Sequence, residues 1–265
     1  MRGRAIRLSL PRRTVGDLLH FAAAVPSVPV QKRIRLKAVV DARKACRNRP
    51  RWTAIFAKAY ALVAAEFPEL RRAYVKFPWP MLYEYPVSVA NIVVERDYEG
   101  EPAVFSILIK RPSARSLPEV GRIIDHASTA PINDIKEFRR SLRISALPRP
   151  LRRLLWWAGL NIGSGRGHFF GTFALSVYSA LEAESLHPLA PLTTVLNYGV
   201  IGSSGDVNVR IIYDHRVMDG ATVARALARL EQILNTSILN EIRSLTEHAL
   251  PSVEGGSSAL SPLTS

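Results

Sequence analysis

A change from strand periodicity to helix periodicity near residue 215 constrains the fold most. Residues 206 to 214 alternate apolar and polar side chains, which predicts a half-buried strand. From residue 220 onward, apolar side chains recur at the spacing of one helical face, which predicts an amphipathic helix. These are Val223, Ala226, Leu227, Leu230, Ile233 and Leu234. The octet YDHRVMDG at 213 to 220 therefore forms a turn between a strand and a helix.

His215 lies in this turn, four residues before Asp219. Imidazole titrates near neutral pH, and a turn can expose one ring nitrogen while the backbone holds the other, so His215 is a candidate catalytic base. Asp219 is a candidate for fixing the turn by accepting hydrogen bonds. An Asp-Gly pair before a helix is also an ordinary turn and N-cap, and these two residues alone favour that structural interpretation.

The complete octet resembles the Asp-His-Arg-x-x-Asp-Gly signature of the acyltransferases that form the catalytic core of 2-oxo acid dehydrogenase complexes, relatives of chloramphenicol acetyltransferase. Every fixed position is present, as Asp214, His215, Arg216, Asp219 and Gly220. The resemblance implies a chloramphenicol acetyltransferase-like α/β fold, an α+β sandwich with a mixed sheet flanked by helices. It also implies that His215 is the general base and Asp219 holds the turn, while Asp214, Arg216 and Gly220 are structural.

A second motif, GTFALS at 171 to 176, resembles the Gly-Thr-Phe-Thr-Ile-Ser strand of the same family. By this resemblance, Ser176 donates a hydrogen bond to the oxyanion of the tetrahedral intermediate. Ser176 precedes His215 by 215 − 176 = 39 residues, a shorter gap than is usual in the family. The residues after the serine, Val177, Tyr178 and Ser179, also depart from the family pattern.

The resemblance implies a reaction, a cofactor and an assembly. The reaction is transfer of an acyl group from acyl-coenzyme A to a thiol, alcohol or amine, with no metal and no lipoyl group on this chain; the residues that bind coenzyme A are not identified. The assembly is a homotrimer in which histidine and serine meet across a subunit boundary. Two alternatives remain open: a dihydrolipoamide acyltransferase acting on a lipoyl domain of another chain, and a catalytically silent trimeric scaffold.

The length of 265 residues predicts one catalytic domain over residues 1 to 250, without a lipoyl or subunit-binding domain. The Ser-, Gly- and Pro-rich segment from 251 to 265 is expected to be disordered. The single cysteine, Cys46, excludes an intrachain disulfide and is typical of a cytoplasmic protein. We expect Cys46 to be buried as packing.

Positive charge dominates the sequence, with a net charge of +14. Such a charge attracts polyanions, but the chain has no nucleic-acid motif and we expect no nucleic-acid partner. Residues 149 to 160 combine arginines with the apolar run LLWWAGL. This segment is either a peripheral membrane contact or a helix buried against the domain or a neighbouring subunit, and we favour the second.

Periodicity and turn residues place the other elements. Helices are predicted at 12 to 25, 52 to 67 and 116 to 127, and strands at 30 to 37, 81 to 95, 103 to 110 and 193 to 201. Pro26 and Pro29 indicate a turn before the first strand. Gly163, Gly165, Gly167 and Gly171 do not match a phosphate-binding fingerprint and predict a flexible connector.

Overall fold

In the computed structural model, residues 3–177 and 182–247 are described, without the side chain of Glu247. The tail predicted to be disordered, 251 to 265, lies outside the described residues. Within them, a six-stranded mixed sheet has the order β1-β8-β7-β6-β4-β5, and two further strands pair separately. The strands are β1 (Ser27–Arg35), β2 (Arg72–Val75), β3 (Met81–Glu84), β4 (Val89–Tyr98), β5 (Glu101–Lys110), β6 (Phe173–Leu175), β7 (Thr194–Tyr198) and β8 (Asp206–Asp214).

Helices flank this sheet, which confirms the predicted α/β fold. They are α1 (Leu10–Ala22), α2 (Lys37–Ala45), α3 (Trp52–Glu66), α4 (Leu117–Thr129), α5 (Lys136–Ala146), α6 (Arg149–Asn161), α7 (Gly163–Phe169), α8 (Gly220–Ile233) and α9 (Leu239–Glu247). Short 3-10 turns span Pro68–Arg71, Pro112–Ala114 and Ile132–Asp134, and a π-helical turn, Leu234–Ile238, joins α8 to α9. The most buried helix is α3, which packs against α4 and α8.

Strand directions determine which residues meet at each end of the sheet. β6 runs parallel to both β4 and β7, whereas β7 and β8 are antiparallel. The C-terminal end of β6 therefore lies beside the C-terminal end of β7, and the C-terminal end of β8 lies beside the N-terminal end of β7. Motifs that follow β6 and β8 are consequently at opposite ends of the sheet.

Elements with strong local signals form where the sequence predicts them. Strand β8 has the predicted bounds, and β4 and β5 pair as the predicted hairpin. Its two-residue turn consists of Glu99 and Gly100, both with positive φ, and the Asp97 side chain accepts a hydrogen bond from the Gly100 amide at 3.0 Å. Helix α4 begins with a capping box between Ser116 and Glu119. Buried Cys46 directly follows α2.

Three predicted elements have wrong bounds, in each case at or near a proline. Helix α1 begins at Leu10 and ends at Ala22, before Pro26, and β1 begins at Ser27 and includes Pro29. Pro29 is tolerated because β1 is an edge strand, where an amide can be missing without breaking the ladder. The predicted strand at 81 to 95 is two strands, which the segment containing Pro86 separates.

The glycine-rich segment is a helix, and the prediction of a flexible connector for Gly163, Gly165 and Gly167 is wrong. A Cβ atom on Gly163 would lie 2.4 Å from the Tyr83 ring, and one on Gly167 would lie 2.7 Å from the Tyr85 ring. The glycines therefore allow α7 to approach the tyrosines of the β3 segment closely, and this tertiary packing outweighs their low helix propensity.

Helix α6 contains the basic and apolar segment 149 to 160. Its inner face packs on α1: Trp156 stacks on Phe21 with ring centroids 6.0 Å apart, and Arg152 and Arg153 both pair with the buried Asp17 at 2.7 and 2.8 Å. The inner face of α6 is therefore buried against the domain, as in the interpretation favoured from the sequence. The outer face leaves large apolar side chains exposed, namely Leu151, Leu154, Leu155 and Trp157. No helix in the described part of the chain is long and apolar enough to span a bilayer.

Candidate active site

The octet begins on β8, and backbone hydrogen bonds from both neighbouring strands hold its turn. The Asp214 amide donates to the Thr193 carbonyl at 2.8 Å, and the His215 amide donates to the Pro26 carbonyl at 3.1 Å. The Val217 amide closes the turn on the Asp214 carbonyl at 3.0 Å. His215 therefore lies on a backbone that the sheet fixes on two sides.

Asp214 and Arg216 form a closed ion pair beneath the turn. Asp214 is fully buried, and its carboxylate accepts hydrogen bonds from the Arg216 backbone amide at 3.0 Å and from Nε and Nη2 at 2.9 and 2.7 Å. The Arg216 guanidinium lies 4.4 Å from the centre of the Tyr74 ring. Bidentate pairing and stacking hold both side chains in one arrangement, so the pair fixes the turn.

The His215 side chain is half exposed, and its surroundings are an aromatic ring and a carboxylate. Its ring centroid lies 5.5 Å from that of Tyr213. Its Nδ1 atom lies 3.8 Å from Oδ1 of Asp219, which is beyond hydrogen-bonding distance but close enough for ionic attraction to a protonated imidazole. Burial, with a smaller contribution from Asp219, raises the pKa of Tyr213, so its hydroxyl stays protonated.

Asp219 and Gly220 start helix α8. Asp219 occupies the N-cap position, but its side chain is 85% exposed and makes no capping hydrogen bond; its backbone carbonyl accepts from the Thr222 amide at 3.1 Å. A Cβ atom on Gly220 would lie 3.3 Å from the Tyr213 hydroxyl, closer than most such contacts. Gly220 thus leaves room for Tyr213 beside the turn, and the Asp219 carboxylate is free to face His215.

Ser176 directly follows β6. Two residues of the second motif, Gly171 and Thr172, position the start of this strand. Gly171 adopts φ +85°, and a Cβ atom there would lie 2.9 Å from the Val89 carbonyl oxygen. The Thr172 hydroxyl accepts a hydrogen bond from the Val89 amide at 3.0 Å. These contacts align β6 with β4, and Ser176 leaves the sheet immediately after Leu175.

Ser176 is nearly buried, and its backbone is held at two points. Its amide donates to the Leu196 carbonyl at 3.3 Å, and its carbonyl accepts from Nδ2 of Asn197 at 2.6 Å. Within residues 3–177 and 182–247, its hydroxyl makes no hydrogen bond, so it has a proton to donate. Of the residues after it that depart from the family, Tyr178 and Ser179 lie outside the described residues.

Sequence reasoning missed Asn197 and Arg210, which connect the Ser176 backbone to the following loop. Asn197 is fully buried, and its Oδ1 lies 3.5 Å from Nη1 of Arg210. The Arg210 side chain also binds the Glu184 carboxylate at 2.7 Å and the Ser185 carbonyl at 3.3 Å. The available signal was an amide and a guanidinium side chain, Asn197 and Arg210, in two segments that the sequence predicts to be neighbouring strands joined by a turn.

Within one chain, the sheet register separates the two motifs. Ser176 follows the row Leu175, Leu196, Ile211, and so lies at the level of Arg210, five residues before His215. With about 3.3 Å per residue along a strand and about 4.8 Å between strands, His215 and Ser176 are about 19 Å apart in one chain. A single chain does not bring them together, and a site containing both requires two copies.

The described residues contain no group of three or more His, Cys, Asp and Glu side chains that could hold a metal ion. The side chains near His215 allow proton transfer by imidazole, next to the Asp219 carboxylate. Near Ser176, the available chemistry is hydrogen-bond donation from a hydroxyl that a buried network positions. Both are groups that acyl transfer uses.

The sequence matches no protein-family model and no curated protein. The fold, however, matches solved catalytic cores. The chain resembles a probable dihydrolipoamide acetyltransferase from Listeria monocytogenes 4b F2365, with a TM-score of 0.63 and 15% identity over 88% of this chain and 94% of that one. It resembles the truncated catalytic core of the 2-oxoacid dehydrogenase multienzyme complex from Thermoplasma acidophilum, with a TM-score of 0.61 and 19% identity over 88% and 99%.

A third structure, the dihydrolipoamide acetyltransferase of Azotobacter vinelandii, gives a TM-score of 0.63 and 15% identity over 92% of this chain and 94% of that one. In that enzyme a serine, a histidine and, four residues after it, an asparagine have been investigated for roles in the catalytic mechanism. These likenesses confirm that the chain has the fold of dihydrolipoamide acetyltransferase catalytic cores.

Proposed function

We propose that this protein is a coenzyme A-dependent acyltransferase with His215 as the general base. One observation carries this proposal: the half-exposed imidazole of His215 follows β8 in a turn held by the sheet, in the fold of acetyltransferase cores. The four-residue spacing of His215 and Asp219 equals that of the histidine and asparagine investigated in the Azotobacter vinelandii enzyme. The likeness of fold supports the proposal that the protein is an acyltransferase. The residues of the turn supply the groups that the proposed reaction uses.

In the proposed reaction, His215 removes the proton of the acceptor thiol, hydroxyl or amine as that group attacks the thioester carbonyl of acyl-coenzyme A. The carbonyl π electrons move to oxygen, and the Ser176 hydroxyl stabilises this oxyanion by hydrogen bonding. When the intermediate collapses, the carbon–sulfur bond breaks and coenzyme A leaves as a thiolate, which takes the proton from the imidazolium. His215 returns to its starting state.

The residues around His215 have supporting roles in this proposal. The Asp214–Arg216 pair keeps the turn rigid, because both partners are fully engaged with each other beneath it. The Asp219 carboxylate, 3.8 Å from Nδ1, stabilises the imidazolium that forms when His215 accepts a proton. Asp219 does not itself take the proton.

The separation of about 19 Å within one chain supports an active site between subunits, with His215 from one chain and Ser176 from the next. This separation supports a homotrimer, because a cyclic arrangement gives each chain one partner on its His215 side and another on its Ser176 side. A monomer would have half of a site at each end of its sheet.

Two acceptors are consistent with this site. The leading candidate is a small thiol, alcohol or amine. The second is dihydrolipoamide on a lipoyl domain of another chain, which is compatible with the similarity to dihydrolipoamide acetyltransferase cores. A catalytically silent scaffold is the third possibility, motivated by the altered sequence after Ser176.

A thiol-release assay separates these possibilities. Purified protein is incubated with a panel of acyl-coenzyme A donors and with dihydrolipoamide, small amines or small alcohols as acceptors. We expect release of coenzyme A that depends on one class of acceptor and is lost in His215→Ala. His126→Ala is the matched control, since His126 is exposed on α4 and is not part of the octet. Release that persists in His215→Ala would exclude the proposed chemistry, and no release with any pair would favour the scaffold.

A further inference from the structure

A cleft of about 630 Å³ lies at the edge of the sheet, where the start of β4 and the end of β5 face α4 and α7. Its walls include Tyr85, Lys110, Arg111, Arg115, Glu119 and His168. Lys110 lies in the same row of the sheet as Val89, Thr172, Thr193 and Asp214, so the cleft is at the end of the sheet that carries His215. Four strand spacings, about 19 Å across the sheet, separate the cleft from His215.

Positive charge is concentrated in this cleft and is largely unused by the fold. Lys110 and Arg111 are exposed, and within the described residues their side chains make no hydrogen bond or ion pair. Arg115 donates from Nε to the Lys110 carbonyl at 3.1 Å, which leaves its terminal nitrogens available. Three cationic side chains therefore face one cavity, with His168 on the opposite wall.

The one carboxylate in these walls, Glu119, is already engaged in helix capping. It accepts hydrogen bonds from the Ser116 amide at 2.8 Å and from the Ser116 hydroxyl at 3.0 Å. These hydrogen bonds, helped by Arg115 and Arg122, hold the pKa of Glu119 below its usual range. Glu119 thus compensates part of the charge of Arg115 and leaves Lys110 and Arg111 without a counter-ion.

The backbone of Arg111 is a second and independent observation. Arg111 has φ 49° and ψ 55°, the left-handed conformation that residues with a Cβ atom rarely adopt and that glycine adopts without strain. The fold uses only its backbone: the amide donates to the Ser88 carbonyl at 2.9 Å, and the carbonyl accepts from the Ala114 amide at 3.0 Å. Glycine would satisfy the same backbone contacts, so stability does not account for the arginine side chain.

We infer that this cleft binds an anion that carries phosphate groups, with Arg111 and Lys110 as its principal ligands. A guanidinium offers paired donors that match the oxygens of a phosphate, and an ammonium adds a compact charge. The Tyr85 ring also lines the cleft; its hydroxyl donates to the Gly163 carbonyl at 2.9 Å, and burial raises the pKa of Tyr85 to about 12, so this side chain is uncharged. An aromatic ring beside cations suits an organic molecule that bears a phosphate or diphosphate.

Isothermal titration with pyrophosphate at constant ionic strength tests this inference, because binding requires no turnover and is independent of the proposed acyl transfer. We expect saturable binding to the wild-type protein and about ten-fold weaker binding in Lys110→Gln and in Arg111→Gly, the loss typical of one charge-assisted hydrogen bond. Arg143→Gln is the matched control, since it removes one exposed positive charge from α5, outside the cleft. It should leave the affinity unchanged.

Thermal unfolding shows whether the Arg111→Gly variant remains folded. The melting temperature should be unchanged or higher, because glycine relieves the left-handed backbone. Absence of saturable binding to the wild-type protein would overturn the inference, and so would equal weakening in Arg143→Gln and Arg111→Gly, which would indicate general attraction to a basic protein.

The source of the phosphate is resolved by repeating the titration with coenzyme A and with pantetheine, which lacks phosphate. If the cleft holds the phosphates of coenzyme A, Arg111→Gly weakens coenzyme A binding about ten-fold and leaves pantetheine unaffected. If coenzyme A binding is unchanged while pyrophosphate binding falls, the site holds a different phosphorylated ligand. Both results uphold an anion site, and His215→Ala should bind pyrophosphate normally in either case.

Discussion

His215 and Ser176 lie at opposite ends of the same sheet, because β8 and β6 run in opposite directions on either side of β7. Each residue is positioned by its own set of contacts: His215 by the paired backbone at Pro26 and Asp214, and Ser176 by Asn197. Neither set depends on the other. A site that uses both side chains is thus divided between two chains, and this division makes the proposed trimer testable through activity as well as through size.

Mixed assemblies of two inactive variants should recover activity. In a trimer formed from equal amounts of His215→Ala and Ser176→Ala chains, about a quarter of the sites combine an intact His215 with an intact Ser176 from the adjacent chain. We therefore expect about a quarter of wild-type coenzyme A release from protein that is co-expressed or refolded as a mixture. Separately assembled variants that are mixed without subunit exchange should remain inactive. No recovery in the co-refolded mixture, with trimers present, would contradict a shared site.

Ser176→Ala alone should lower kcat about 100 to 1,000-fold and change donor affinity little, because an oxyanion donor acts mainly in the transition state. Steady-state kinetics with one donor and one acceptor give this measurement. Ser145→Ala is a suitable comparison, since it removes the hydroxyl of another buried serine, on α5 and outside both motifs. A Ser176→Ala enzyme with unchanged kcat would remove Ser176 from the mechanism.

Two glycines of α7 predict opposite stability effects of the same substitution. Gly163→Ala should destabilise the protein by about 1–3 kcal/mol, because its Cβ would overlap the Tyr83 ring. Gly165→Ala should stabilise it by about 0.5–1 kcal/mol, since its Cβ would meet Phe169 at an ordinary contact distance of 3.7 Å and alanine favours a helix. Urea denaturation measures both. Equal effects would contradict close packing of α7 on Tyr83.

The ion pair beneath the turn predicts non-additive mutations. Arg216→Gln leaves the fully buried Asp214 carboxylate without its bidentate partner and should lower the free energy of unfolding by about 3 kcal/mol. This is the lower end of the range for breaking a buried ion pair, because the positive charge of nearby Arg166 still stabilises the Asp214 carboxylate. The double variant Asp214→Asn, Arg216→Gln should cost less than Arg216→Gln alone, because no unpaired charge remains. Denaturant titration of the single and double variants tests this, and simple additivity would contradict the pairing.

The contact between α3 and α8 predicts a pH-dependent stability term. Glu66 accepts two hydrogen bonds from Arg229, at 2.7 and 2.9 Å, and these lower the pKa of Glu66 from 4.5. A carboxylate whose pKa is lower in the folded state than in the unfolded state stabilises the folded state at pH values above its unfolded-state pKa. This stabilisation is lost as the pH falls through the folded-state pKa. Since both side chains are well exposed, Glu66→Gln should cost about 0.5 kcal/mol or less at pH 7.

This small difference from the wild-type protein should shrink as the pH falls below the unfolded-state pKa of a glutamate, about 4.3, and vanish once the pH is below the lowered pKa of Glu66. Melting temperatures of the two proteins at several pH values measure it, with Arg229→Gln as the reciprocal variant. A difference that grew as the pH fell would have the wrong sign for this pair.

Local signals in the sequence were sufficient for several elements. Strand β8, the β4–β5 hairpin and the capped start of α4 follow from alternation, from Gly100 at a turn, and from a serine with glutamate three residues later. These signals act over a few residues, where backbone conformation and side-chain hydrogen bonds are decided locally. The octet with His215 was recognisable for the same reason.

Other features depend on residues far apart in sequence, and sequence reasoning missed them or placed them wrongly. Gly163 and Gly167 are helical because Tyr83 and Tyr85 pack against them, and Pro29 is in a strand because that strand is at the edge of the sheet. The network from Ser176 through Asn197 to Arg210 exists because β6, β7 and β8 are adjacent. No local pattern encodes these neighbours.

The sequence by itself determined which residues can carry chemistry, since the identity and spacing of the side chains in the octet set the available acid, base and hydrogen-bonding groups. The tertiary structure alone decided where those groups lie: the strand order and directions hold His215 and Ser176 about 19 Å apart and leave Lys110 and Arg111 facing a cleft. Strand pairing fixes these positions because the order and direction of the strands in a sheet set the distances between residues that are dozens of positions apart in the sequence.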